Sequence, residues 1–200
     1  MTHSTTISQH KKERETKGLI LEIAEGLFSL YGYVGVSMRS IAEALGISKP
    51  ALYYHFKNKQ ELYFEVLNQA SKELIESLQQ VIGQNVTLQR KFHGVITTYI
   101  DYCINKKDMV HLMMQEVSKQ DKEIMDSISK ISNEILDLLE PLIKEILKES
   151  QKIKRVNSRF VTHLFIGIMN SFIISQSLSG RKKYNSKQIA DQLIALSMNN

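Results

Sequence analysis

The chain has 200 residues, 42% hydrophobic and 24% charged, the balance of a soluble globular protein of one or two domains. Two prolines and nine glycines leave little room for turn-rich β structure, and the lone cysteine, Cys103, excludes an intramolecular disulfide, as fits a reducing, cytoplasmic setting. The formal charge of +5 permits nucleic-acid binding without showing it: residues 1–65 hold eight Lys/Arg against seven Asp/Glu, so binding there must rest on local placement. Residues 1–11 are polar, lack the apolar run of a signal peptide and read as a disordered arm. His10, Lys11, Lys12 and Arg14 stand where an N-terminal arm can brush DNA, against the plainer reading of a solvated tail. A first helix follows, with Ile20, Ile23, Ala24, Leu27 and Tyr31 as its apolar stripe; Gly32 ends it and Gly35 loosens the next loop.

From Ser37 to Lys59 the sequence predicts two short helices around a tight turn. Met38, Ile41, Ala42 and Leu45 fall at i, i+3, i+4 and i+7, one helical stripe, with Ser37 as N-cap and Gly46 as the terminating residue. Ser48 caps the second helix, Pro50 lies in its first turn, and Leu52 and Phe56 face inward together. Lys49, Pro50, Ala51, Tyr53, Tyr54 and His55 are left on or near the outside. Lysine and tyrosine on such a face suit a recognition helix in the major groove, reaching phosphates and base edges. Asn58 caps a third helix with Glu61 at its N3 position, and Lys59 starts that helix, where the dipole already favours a phosphate. Arg39, Lys49, Lys57 and Lys59 against Glu43 give the stretch a net charge of +3. The plain alternative is a compact helical hairpin with incidental tyrosines.

The residue order IAEALGISKPALYYHFKNKQEL resembles the DNA-binding domain of TetR-family transcriptional regulators, and Ile23, Ala24, Phe28 and Gly32 stand as in that family's first helix. The resemblance covers roughly Lys12 to Ala70. Two departures are Ser37, where threonine is commoner, and Lys49-Pro50, where glycine often follows the turn; the second alters the base-facing surface. The resemblance implies an all-α fold of about nine helices, with a helix-turn-helix head over residues 12–70 (motif 37–56) and an effector-binding and dimerisation body over residues 71–200. It also implies a homodimer on double-stranded DNA carrying a palindromic operator. Ser37, Arg39, Ser48, Lys49, Pro50, Ala51, Tyr53, Tyr54, His55 and Lys59 are then the DNA-binding residues, with Tyr54 and Lys59 chiefly on phosphates.

A long helix opens at Lys59 and keeps an apolar spacing through Leu62, Val66, Ala70, Leu74, Leu78 and Val81 to Gly83. In the resembling family this helix links head to body, so its tilt sets the distance between heads. The next helix, capped by Thr87, carries Phe92, Val95, Ile96, Tyr99 and Tyr102 and breaks at Lys106-Lys107-Asp108. Met109, Met113, Met114 and Met125 follow. With Phe92, Tyr99, Tyr102, Phe165 and Met169 they are candidates to line a pocket for a small, substantially apolar effector, since methionine adapts to irregular apolar shapes; an ordinary Met-rich core is the alternative. Another helix runs from Lys122 toward Ser150, with Pro141 expected to kink or split it. Lys152, Lys154, Arg155 and Arg159 read as a solvated loop.

The segment from about Asn157 to Ser179 is the most apolar. It is long enough to be mistaken for a membrane span, but His163, Asn170, Ser171, Ser175 and Gln176 argue against that and no membrane partner is expected. A soluble helix this apolar must be buried on several sides. Phe160, Leu164, Ile168 and Phe172, with Leu193 and Leu196 of a last helix at 187–198, are therefore the expected dimer interface, and in the resembling family the last two helices form a four-helix interface.

The histidines lack metal-ligand spacing, and neither metal nor cofactor is expected. Cys103 sits in apolar surroundings as an inert thiol, with redox sensing as the sharper alternative. No nucleophile–base pair or glycine-rich phosphate loop supports an enzyme. The leading reading is a ligand-responsive DNA-binding regulator acting as a repressor; the alternative is a DNA-binding protein of the same fold, without a ligand, acting structurally on the chromosome.

Overall fold

Six helices begin at a Ser, Thr or Asn whose side-chain oxygen accepts a backbone N–H three residues on, each such cap worth about 1 kcal/mol. The acceptors are Ser37, Ser48, Asn58, Thr87, Asn157 and Asn185. The structure, a computed structural model, describes residues 3–106, 122–149, 156–179 and 185–198. Within them lie eight helices and no strand: α1 (His3–Gly35), α2 (Met38–Leu45), α3 (Lys49–His55), α4 (Lys59–Ile82), α5 (Leu88–Asn105), α6 (Lys122–Glu149), α7 (Ser158–Ser179) and α8 (Ser186–Met198).

The arm expected at residues 1–11 is a correction: from His3 onward the backbone is already α1. Gly32 interrupts that helix with φ 71°, a left-handed conformation in which glycine carries no Cβ penalty. The buried face of α1 is Ile20, Leu21, Ala24 and Phe28. Tyr31, expected on it, is 64% exposed; beyond the Gly32 break it is Tyr33 whose ring closes this end of the core, 4.8 Å from the ring of buried Tyr63 on α4. Phe28 meets Tyr63 edge-on at 5.1 Å.

The head is α1, α2 and α3 packed with the first turns of α4. Ile41, Leu52, Phe56 and Leu62 are fully enclosed there, each contributing about 1.5–3 kcal/mol of hydrophobic stabilisation. α4 then runs into the body, packing on α5 and α6, and buries Leu74 and Leu78 there. α5 lies at the centre of the body, against α4, α6, α7 and α8, and α6 packs along α7.

Pro141 lies inside α6, and of the expected kink or split the split does not occur. The proline removes one intrahelical bond, but Leu139, Leu142, Ile143 and Ile146 on either side are buried and hold both halves in place. Arg159 is a further correction. It belongs to the first turn of α7, where its guanidinium reaches Asp137 and Glu140 of α6.

α7 buries Phe165, Met169 and Ile173 against the body and exposes Phe160, Leu164 and Ile168 at i, i+4 and i+8. Ser158–Gln176 is long and apolar enough, at mean hydropathy 1.2, to meet the length and composition of a membrane span. One side of it packs on α5 and α6, with Thr162 fully buried and bonded to the carbonyl of Ser158.

Candidate nucleic-acid interface

Local chemistry sets the angle between α2 and α3. At the start of α2, Ser37 and Ser40 cap each other: the Ser40 N–H donates to Ser37 Oγ at 3.0 Å, and the Ser37 N–H donates to Ser40 Oγ at 2.9 Å. At its end Gly46 takes φ 66°, and the N–H groups of Gly46 and Ile47 close on the carbonyls of Glu43 and Ala42. The chain leaves this turn at Ser48, which caps α3. Leu52 and Phe56 turn inward, fully buried.

What α3 then presents is a contiguous outer face. Lys49, Pro50 and Ala51 are exposed, as are Tyr53 at 42% and Tyr54 at 75%; His55 is half-buried at the edge. Lys49 Nζ lies 5.7 Å from the centroid of the Tyr53 ring, and the Tyr54 and His55 rings meet edge-on at 5.2 Å. On α2 the exposed Arg39 pairs with Glu43 at 2.8 Å, a surface pair worth little to the fold.

α1 supplies neighbours that the motif does not reveal. Tyr54 donates its hydroxyl to Glu13 at 3.2 Å, and Glu13, Arg14, Lys17, Tyr54 and His55 line an open groove of about 520 Å³. The helical phase of residues 13–17, had it been extended back from Ile20, would have put these side chains beside α3. Lys59 departs from the expectation. Its ammonium does not point out to a phosphate but donates to the carbonyls of Tyr33 at 2.8 Å and Val36 at 2.9 Å, over the Tyr33 ring. Carbonyls left open by the Gly32 break draw it inward.

Of the residues expected around an effector, Phe92 and Phe165 stack at 4.8 Å and Met169 is fully buried. Tyr99, also buried, donates to Asn170 Oδ1 at 2.8 Å, and Tyr102 donates to the Ala70 carbonyl at 2.6 Å. Burial raises both phenols above their ordinary range, and for Tyr102 the charge of Glu73 adds to it. Met125 is half-buried; Met109, Met113 and Met114 lie outside the described residues. Burial also pushes the Cys103 thiol up to about 12, so it is held neutral. Among the expected interface residues Phe160, Leu164, Ile168 and Leu196 are exposed, whereas Phe172 and Leu193 are half-buried against the protein's own core.

A family model described as "Bacterial regulatory proteins, tetR family" matches residues 20–66, and one described as "YsiA-like protein, C-terminal region" matches residues 67–200. The transcriptional activator FasR of Mycolicibacterium smegmatis is 31% identical over 88 residues, 44% of this chain and 40% of that one. The chain spans about half the length of the curated relatives it matches. The fatty acid degradation regulator FadR from Bacillus halodurans has the same fold, with a TM-score of 0.79 at 14% identity over 92% of this chain and 95% of that one. FadR from Bacillus subtilis, solved in complex with stearoyl-CoA, gives 0.77 at 18% identity over 90% and 96%. With the two models covering the head and the body in turn, the chain belongs to the TetR family of bacterial regulatory proteins.

Proposed function

We propose that the protein is a homodimeric, cytosolic repressor that is released from a palindromic operator when its body binds an effector with a substantially apolar part, the acyl chain of an acyl-CoA thioester. The observation that carries the DNA half is α3 itself: two buried side chains, Leu52 and Phe56, fix a helix whose opposite face offers Lys49, Pro50, Ala51, Tyr53 and Tyr54 to solvent. Arg39 and the groove with Arg14 and Lys17 add cations for flanking phosphates. Dimerisation is supported by the exposed stripe Phe160, Leu164 and Ile168 with Leu196; a symmetric pair of heads can then enter successive major grooves. The effector class is supported by the stearoyl-CoA bound to Bacillus subtilis FadR, a protein of the same fold, together with an apolar body core that holds Phe92, Phe165, Met169 and many Ile and Leu side chains.

Release follows from linkage: an effector that binds better to a state with misplaced heads shifts the population away from DNA. The test is to form the complex with operator duplex and add palmitoyl-CoA, isovaleryl-CoA, free palmitate or CoA. Release by one of the thioesters, but by neither fatty acid nor CoA alone, is expected. An operator complex insensitive to every one of them contradicts the effector assignment.

A further inference from the structure

We propose that Lys106 is a positioning residue for the DNA-reading head, holding α1 to the body through an ion bridge to Glu25 and Glu73. This rests on the reading of the chain as a head steered by its body. Lys106 is the C-cap of α5, the central helix of the body, and its Nζ lies 2.6 Å from Glu25 Oε1 of α1 and 3.7 Å from Glu73 Oε2 of α4. Tyr102, one turn earlier on α5, donates to Glu73 at 3.2 Å and to the Ala70 carbonyl at 2.6 Å. Three helices therefore meet in one polar cluster.

The cluster differs from the protein's surface pairs. Glu25 is 19% exposed and Lys106 31%, against 79% and 63% for Arg39 and Glu43. Partial desolvation weakens screening by salt, and removing one partner leaves the other charge poorly solvated. Burial works against the charged form of Lys106, but the hydrogen bond and charge of Glu25, with Glu73, raise its pKa overall, so the ammonium persists through neutral pH.

The bridge also crosses open space. Glu22, Glu25, Gly26, Ser29, Leu30, Asn105 and Lys106 line a cleft of about 330 Å³ between α1 and the end of α5. The main packing partners of α1 are α4 and α2, so the ion bridge is a direct polar tie from α1 to α5 beside an unfilled gap. A displacement of the end of α5 is passed to α1 through this tie, and without it α1 is free to pivot on α4.

The experiment measures the head-to-body distance by electron spin resonance. Nitroxides are placed at Ala44→Cys on α2 and Lys187→Cys on α8 in a Cys103→Ala background, and the labelled chain is diluted into unlabelled chain so that the distance is read within one chain. The parent should give one narrow distribution. Lys106→Met, which keeps the apolar stem, should broaden or shift it with helix content unchanged, and Lys72→Met should leave it narrow. Glu25→Gln, nearly isosteric, is the second arm should Lys106→Met fold poorly, and it should act in the same direction. Narrow, unshifted distributions in both variants overturn the proposal and leave Lys106 a stabilising residue only. The measurement needs neither DNA nor effector, so failure of the regulator reading leaves its outcome interpretable.

Discussion

The ammonium of Lys59 donates to the carbonyl oxygen of Tyr33 at 2.8 Å, so the first turn of α4 holds the end of α1 across 26 residues of sequence. A second bond to Val36 at 2.9 Å makes the lysine a clasp over the Gly32 break. Hydrogen bonds from a charged donor contribute about 1.5–3 kcal/mol. Lys59→Ala should therefore destabilise the fold by about 2 kcal/mol, lowering the melting temperature by roughly 4–8 °C. Calorimetry on the variant checks this. An unchanged melting temperature would return Lys59 to the role of a phosphate ligand.

Lys49 should behave in the opposite way. It is exposed, with its ammonium 5.7 Å from the centroid of the Tyr53 ring, so Lys49→Ala should leave stability nearly unchanged. If it reads a guanine edge, its loss should weaken operator binding by about 1–3 kcal/mol, roughly 5- to 150-fold, and random duplex much less. Equal losses on both duplexes at matched salt would make it a phosphate contact instead.

The proposed dimer face is best probed where the side chain does no other job. Phe172 and Leu193 pack on the protein's own core, so replacing them confounds folding with assembly. Leu164, 51% exposed, does not have that problem. Leu164→Asp should sediment as a folded monomer; a normal dimer would place the interface elsewhere.

Cys103 should be silent toward a disulfide reagent at pH 8 in the native protein and react on unfolding. Its folded pKa, about 12, lies above the ordinary 9.0 because the thiol is buried, with the Tyr99 hydrogen bond opposing weakly. Between those values the unfolded chain gives up a proton that the folded chain keeps. The thiol's contribution to stability is thus fully present below about pH 9 and is lost as pH rises toward 12. Cys103→Ala should lose less stability than the parent over that window in denaturant titrations. Identical slopes would mean that the thiol is more accessible than its burial indicates.

The elements that sequence revealed are those whose causes are local. Ser37, Gly46, Ser48 and Asn58 act on backbone groups three or four residues away, and the head could be read from them. The Lys59 clasp is not legible in the same way, because its partners at Tyr33 and Val36 are set by how α1 ends, a tertiary matter. The Glu25–Lys106 bridge joins residues 81 apart and leaves no periodic signature. At Pro141 the helix is not split, because neighbouring burial outweighs one missing hydrogen bond. For Tyr31 the helical angle was right, but the packed layer closes instead on Tyr33, past a break that spacing alone does not orient.

Sequence-specific DNA recognition is most directly tested by selecting binders from a pool of random duplexes at physiological salt. The pool should converge on a pseudo-palindrome whose half-sites are centred about one helical turn, or a multiple of one, apart. That duplex should bind at least about 10³-fold tighter than random sequence. Lys49→Ala should erase much of the preference. A pool that stays random after selection, or a duplex bound no tighter than any other at the same salt, would contradict the assignment of α3 to the major groove.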